Sequence, residues 1–193
     1  MSSIVVAGDT SGSVTLQAPA VAGSTVLTLP AVSGTVITTG TTGQVIPKLA
    51  LPTGSILQVV NSAYSTITSS TSATFANLGL SASITPLSST SKILIMVSLG
   101  GIAKTAVATY TQTQLLRGAS VISYIDTLIG YTNSTAQSSG SASINYLDSP
   151  ATTSATTYSV QFANGAATGT VTINNYSGAL NTVSTMTLME IVA

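Results

Sequence analysis

Lys92-Ile93-Leu94-Ile95-Met96-Val97-Ser98-Leu99 is the stretch on which the fold turns. Side chains of an extended chain alternate between two faces. Period two therefore sets Ile93, Ile95, Val97 and Leu99 on one face and Leu94 and Met96 on the other. Both faces are apolar, so both are expected to be covered. In a two-sheet sandwich one face supplies the domain core. The other then meets a subunit partner or, in the plainer alternative, a covering loop. The apolar run continues to Ala103 and is bounded by Lys92 and Lys104. It is too short, and too rich in Ser and Gly, to cross a bilayer as a helix.

Similar strands lie on either side. Ser55 to Val60, Ala73 to Leu80 and Ala82 to Thr85 precede it, the last stopped by Pro86. Thr109 to Leu116, Val121 to Leu128, Ala142 to Leu147, Thr157 to Ala163, Thr170 to Tyr176 and Met186 to Val192 follow. Short strands at such spacing, with turn residues between them, mark a sandwich or barrel. In Thr157 to Ala163, Tyr158, Val160 and Phe162 share one face and Ser159 and Gln161 the other, the pattern of a half-buried strand. Met186 to Val192 is apolar on both sides, like the opening stretch.

Residues 1–52 differ. They hold no aromatic side chain, and Gly and Pro interrupt them every few residues, which favours short strands and tight turns. Val14 to Gly23 is echoed by Val26 to Gly34, each an alternating strand, a Pro-Ala step and a Gly. A repeat this short cannot bury its own apolar face, so it needs further copies or a partner surface. The alternative is a flexible arm, but linkers have no reason to keep period two. Pro47-Lys48-Leu49-Ala50-Leu51-Pro52 reads as the joint to a second domain, 53–193. The expected class is all-β: an antiparallel sandwich preceded by a small β-repeat module.

Composition excludes several functions. The chain of 193 residues has no His, no Cys and no Trp, and charged residues make up only 4%. The usual zinc, haem and iron–sulfur ligands are missing, and so are Ser-His and Cys-His catalysis, so no cofactor or metal is expected. Four cations cannot track a phosphate backbone, which argues against nucleic acid. The N-terminus has no secretory pattern, and aromatic girdles of an outer-membrane barrel are absent, so no membrane partner is expected. With zero net charge and 44% hydrophobic residues, a free monomer would be poorly soluble. Much of its surface is therefore expected to be covered in an oligomer or lattice.

Few residues are candidates for chemistry. Asp148, in Leu-Asp-Ser-Pro, reads as a turn residue accepting a nearby backbone N–H. Glu190, in an apolar strand end, needs a partner if buried, and Arg117 or Lys92 is the expected one. Ser89-Thr90-Ser91-Lys92 matches an acyl-transfer motif, but it lies in a polar loop without the companion motifs. Tyr124 and Tyr131 fall where exposed loops could stack on sugars, whereas Tyr158 and Phe162 read as core. No catalytic residue is assigned.

Several segments together resemble bacteriophage virion domains. They are Ser55 to Val60, Gly79 to Pro86, Ser91 to Ile95, Leu116-Arg117-Gly118, Tyr146 to Pro150, Thr157 to Phe162 and Met186 to Ile191. The resemblance is to trimeric jelly-roll domains of the TNF/C1q type on phage heads and tail fibres, over 53–193. Ser24 to Pro30 is similar to short β repeats of phage structural proteins. The resemblance implies a non-enzymatic homotrimer, made in the bacterial cytoplasm and carried on the virion surface. Ile93, Ile95, Val97, Leu99, Leu188 and Ile191 are then the expected trimer interface, and Val14, Leu16, Val26, Leu27 and Leu29 the expected docking residues. The implied role is a head decoration or cement protein whose partner is the major capsid protein. The alternative is a tail-fibre tip that holds host glycan on loops such as Tyr131 to Gly140.

Overall fold

The computed structural model describes residues 3–7, 13–17, 51–134, 137–176 and 180–193. The chain divides into two compact units, Met1–Gln44 and Val45–Ala193. In the first, β1 (Ser3–Ala7) pairs antiparallel with β2 (Ser13–Gln17), from Ser3 opposite Gln17 to Ala7 opposite Ser13. β2 contains the start of the first expected repeat. The second repeat, from Val26, lies outside the described residues.

The second unit is an antiparallel β-sandwich, and no helix occurs among the described residues. Its strands are β3 (Ile56–Tyr64), β4 (Thr68–Ser70), β5 (Ala76–Ile84), β6 (Lys92–Lys104), β7 (Thr111–Arg117), β8 (Ser120–Ile129), β9 (Ser138–Asp148), β10 (Thr156–Asn164), β11 (Val171–Ile173), β12 (Asn175–Tyr176), β13 (Leu180–Asn181) and β14 (Ser184–Ile191). One sheet runs β3-β14-β6-β9, with β4 and β11 prolonging β3 and β14 along the far part of β6. The other runs β5-β10-β7-β8. The two strands expected at 73–80 and 82–85 are the single strand β5, and the opening stretch extends to Lys104.

The pairing is nested. β3 pairs with β14, β5 with β10, β6 with β9, and β7 with β8. The β3–β4 and β7–β8 connections stay within one of the two main sheets. The connections from β4 to β5, β5 to β6, β6 to β7, β8 to β9, β9 to β10 and β10 to β11 all cross between them. The break between β3 and β4 is held by Asn174, whose side-chain amide donates to the carbonyls of Tyr64 and Thr66 at 2.9 and 3.1 Å.

The core lies between the sheets. Tyr158, Val160 and Phe162 of β10 face it, as their alternation predicts, together with Leu78 and Leu80 of β5 and Leu115 of β7. From the first sheet come Ile93, Ile95, Val97, Leu99 and Leu188, each 2% exposed or less. Burying each such side chain stabilises the fold by roughly 1.5–3 kcal/mol. This corrects the expected trimer interface. Those five side chains fill the monomer's own core and no partner can reach them. Of the six expected interface residues, Ile191 alone lies on the outward face of its strand.

β6 changes phase once. Between Leu99 and Ile102 its register with β9 shifts by one residue, at Gly100-Gly101. Gly101 has φ +58, a conformation that side chains with a Cβ resist. Up to Leu99 the odd residues face inward; beyond the bulge Ile102 and Lys104 do.

Candidate functional site: the outer face of the β3-β14-β6-β9 sheet

The strand registers align the outward side chains into rows. Val59, Met189, Leu94 and Leu147 form one row across all four strands. Beside it, Ile191 stands between Ile56 on one neighbouring strand and Lys92 on the other. On the other side come Asn61, Thr187, Met96 and Asn145, then Ala63, Thr185, Ser98 and Ser143. Val59 and Leu147 are 54% and 55% exposed, so the apolar row is open to solvent in a single chain. Asn61 Nδ2 donates to Thr187 Oγ1 at 2.8 Å, which ties the polar row together. Lys92 is the only ionisable side chain in these rows, and its Nζ is turned to Ser149 Oγ at 2.7 Å.

Four strands with seven aligned positions span about 19 by 23 Å, or about 450 Å², at ordinary strand spacing and rise. Chemically the face is a hydrophobic row flanked by amides and hydroxyls. Interleaved sequence positions produce it, and the residues that matter most, Ile56, Val59, Met189 and Leu147, were not among those expected. The usable signal was parity. Lys92 and Ser98 share a face with Leu94 and Met96, which marks that face as the outer one.

The carboxylates have structural roles. Glu190 faces inward at the end of β14 and is 0% exposed. Its partners are not the expected Arg117 or Lys92. Gln58 Nε2 donates to Glu190 Oε2 at 2.5 Å and the Leu87 N–H to Oε1 at 2.7 Å. Burial pushes the Glu190 pKa up, but the donors from Gln58, Ser91 and the Leu87 and Ser88 backbone more than offset this and hold it below the usual carboxylate value.

Asp148 is likewise not the expected turn residue. Both its oxygens accept from Arg117 Nη1, at 2.9 and 3.0 Å, and Oδ2 accepts from Tyr158 Oη at 2.7 Å. Asp148 stands on one sheet, and Arg117 and Tyr158 on the other, so the cluster bridges the sandwich. Burial, then the bond to Asp148, raises the Tyr158 pKa far above its ordinary value. Asp126 Oδ1 accepts from the Leu128 N–H at 3.0 Å.

Ser89 is exposed in the turn before β6, while Lys92 points to Ser149, so the S-x-x-K pair is not assembled. Tyr124 lies in β8 beside Phe75, with ring centroids 6.3 Å apart. Tyr131 lies in the loop after β8 and packs edge-on against Tyr110 at 6.0 Å. Among the expected docking residues, Val14 and Leu16 fall in β2, while Val26, Leu27 and Leu29 lie outside the described residues. Among the described residues no group of three His, Cys, Asp or Glu side chains could hold a metal ion.

No known protein family and no curated protein matches this sequence.

Proposed function

We propose that this chain is a non-enzymatic structural protein of a bacteriophage virion. It assembles as a homotrimer and decorates the capsid exterior, where it binds the major capsid protein through its N-terminal unit and stabilises the shell. The observation that carries this reading is the charge-poor outer face of the β3-β14-β6-β9 sheet, with Lys92 at its border, crossed by the apolar row Val59-Met189-Leu94-Leu147. The nested strand pairing supports a jelly roll, the architecture that the sequence resembles.

At about 450 Å² the face is smaller than the roughly 800 Å² per partner of a standard interface. A closed ring suits it better than a two-fold pair, because each protomer then meets two neighbours and adds its sheet edges to the contact. Cementing needs no chemistry. Three linked docking contacts gain avidity without any new kind of contact.

The test is gold labelling of intact virions with an antibody to residues 53–193, viewed by electron microscopy. Dense label over the head is expected. Label confined to the tail would replace this reading with host recognition, and unlabelled particles would overturn it.

A further inference from the structure

Among the described strands of the sandwich, every sheet edge but one is protected. An open edge carries unpaired N–H and C=O groups and pairs readily with another chain, so proteins shorten it, bulge it, charge it or cover it. Here the edges of β3 and β4 are stitched to that of β5. Gln58 Nε2 donates to Thr85 O at 2.8 Å and Thr68 Oγ1 to Leu78 O at 3.4 Å, and a Cβ at Gly79 would overlap the Tyr64 ring. β4, β12 and β13 are two or three residues long. β8 is bulged: its register with β7 shifts at three places, and it carries the exposed Asp126.

β9 has none of these devices. From Ala142 to Asp148 it pairs residue for residue with Leu99 to Ile93 of β6. The extra residue of the Gly100-Gly101 bulge lies on β6, so β9 itself runs straight. It contains no Pro, Lys or Arg. Its one charged side chain, Asp148 at the end, is engaged by Arg117. Among the described residues no strand pairs with its other edge.

The core is also thinly covered there. Ile144 and Tyr146 pack against it but are only half-buried, and so are Ile122 and Ile125 of β8, across the seam between the sheets. Ile93 and Ile95, on the neighbouring strand of the same sheet, are 0% exposed. A further strand beside β9 would take this remaining apolar surface out of water.

We propose that β9 is an acceptor edge and that its occupant is β9 of a second copy of this chain. Charge selects a copy over a partner of another kind. Residues 138–147 are uncharged, so the edge does not repel itself and holds no charge for an oppositely charged partner to answer. Geometry selects it too. A two-fold axis sets a strand antiparallel to its own copy, the pairing used throughout this fold, and joins two sheets into one. It brings Ile144 and Tyr146 of each copy beside those of the other, so each covers what its partner leaves open. The inference goes beyond the proposed ring, because a three-fold axis cannot join like edge to like edge along a strand.

The test uses the full chain alone, so that only a second copy can answer. Along an edge strand, alternate N–H groups point away from the neighbouring strand. If the edge is free, every second amide between Ala142 and Leu147 exchanges with solvent at least about tenfold faster than those bonded to β6. Pairing is expected to protect them all, and dilution to release the alternate set together. The chain has no Cys, so Ser141→Cys, Ser143→Cys, Asn145→Cys and Leu147→Cys, mixed in pairs and oxidised, report the geometry. Directly opposed residues lie within disulfide reach. A two-fold pair links positions whose residue numbers add to one constant sum, which a ring on the sheet face does not do. Ile144→Lys, an inward charge on the edge, should halve the mass seen by sedimentation, from dimer to monomer or, with the ring in place, from hexamer to trimer. Should that variant fail to fold, exchange and cross-linking still decide. Alternate amides that exchange fast at every concentration, or protection without β9–β9 cross-links of constant sum, would overturn the inference and leave the ring untouched.

Discussion

Glu190 shows how a buried charge is held without a cation. Its carboxylate is satisfied by an amide and backbone N–H groups, so its pKa is lowered despite burial. A depressed folded-state pKa means that its stabilisation is complete above the unfolded value of ~4.3 and is lost as pH falls through the folded value. Glu190→Gln is expected to cost about 2–3 kcal/mol at neutral pH, because an amide nitrogen would then meet donors. It should also flatten the acid limb of stability, measured by urea unfolding across pH 2–7. Tyr158→Phe removes one hydrogen bond from the Asp148 cluster and leaves its Arg117 contact. A loss of about 1 kcal/mol in the same assay is expected, with the fold intact. Sequence reading found that Glu190 needed a partner but named the wrong ones. Gln58 lies 132 positions away, and neutral donors carry no signature that charge arithmetic detects. Asp148 misled for a related reason. Its Leu-Asp-Ser-Pro context describes the backbone, whereas its partners come from the opposite sheet.

At the scale of the strand, β6 separates two kinds of apolar residue. Ile95 is core, and Ile95→Ala should cost roughly 2–5 kcal/mol in chemical denaturation. Leu94, its immediate neighbour, faces outward in the exposed row. If the proposed trimer closes through this row, Leu94→Asp is expected to yield folded monomers, with sedimentation velocity reporting the mass and circular dichroism the retained sheet. A variant that stays trimeric would move the interface elsewhere. Strand positions were legible because alternation and turn residues are local properties. The inner face was marked in β6 only by Lys92 and Ser98 on the opposite side, and β14 gave a contrary sign, since its charged Glu190 is turned inward. The Gly100-Gly101 phase change was also hidden. Adjacent glycines permit a bulge, but only pairing with β9 creates it.

At the scale of the whole molecule, the sandwich class was readable from strand count and spacing, but the pairing order was not, because it is set by contacts between distant segments. If the chain is a trimer whose N-terminal unit docks it on a shell, removing residues 1–52 should leave the oligomer in solution but abolish binding to undecorated particles, measured by co-sedimentation. Bound truncated protein would assign docking to the sandwich instead. The nested order has a further effect during synthesis. The innermost hairpin, β7–β8, lies mid-chain, and each later strand must find a partner made progressively earlier. β3 therefore waits for β14, the last strand of the sandwich in chain order. Until β14 is made, the nascent chain keeps unpaired strand edges. A shortage of free charge, tolerable once the sheets have closed, makes that interval prone to aggregation.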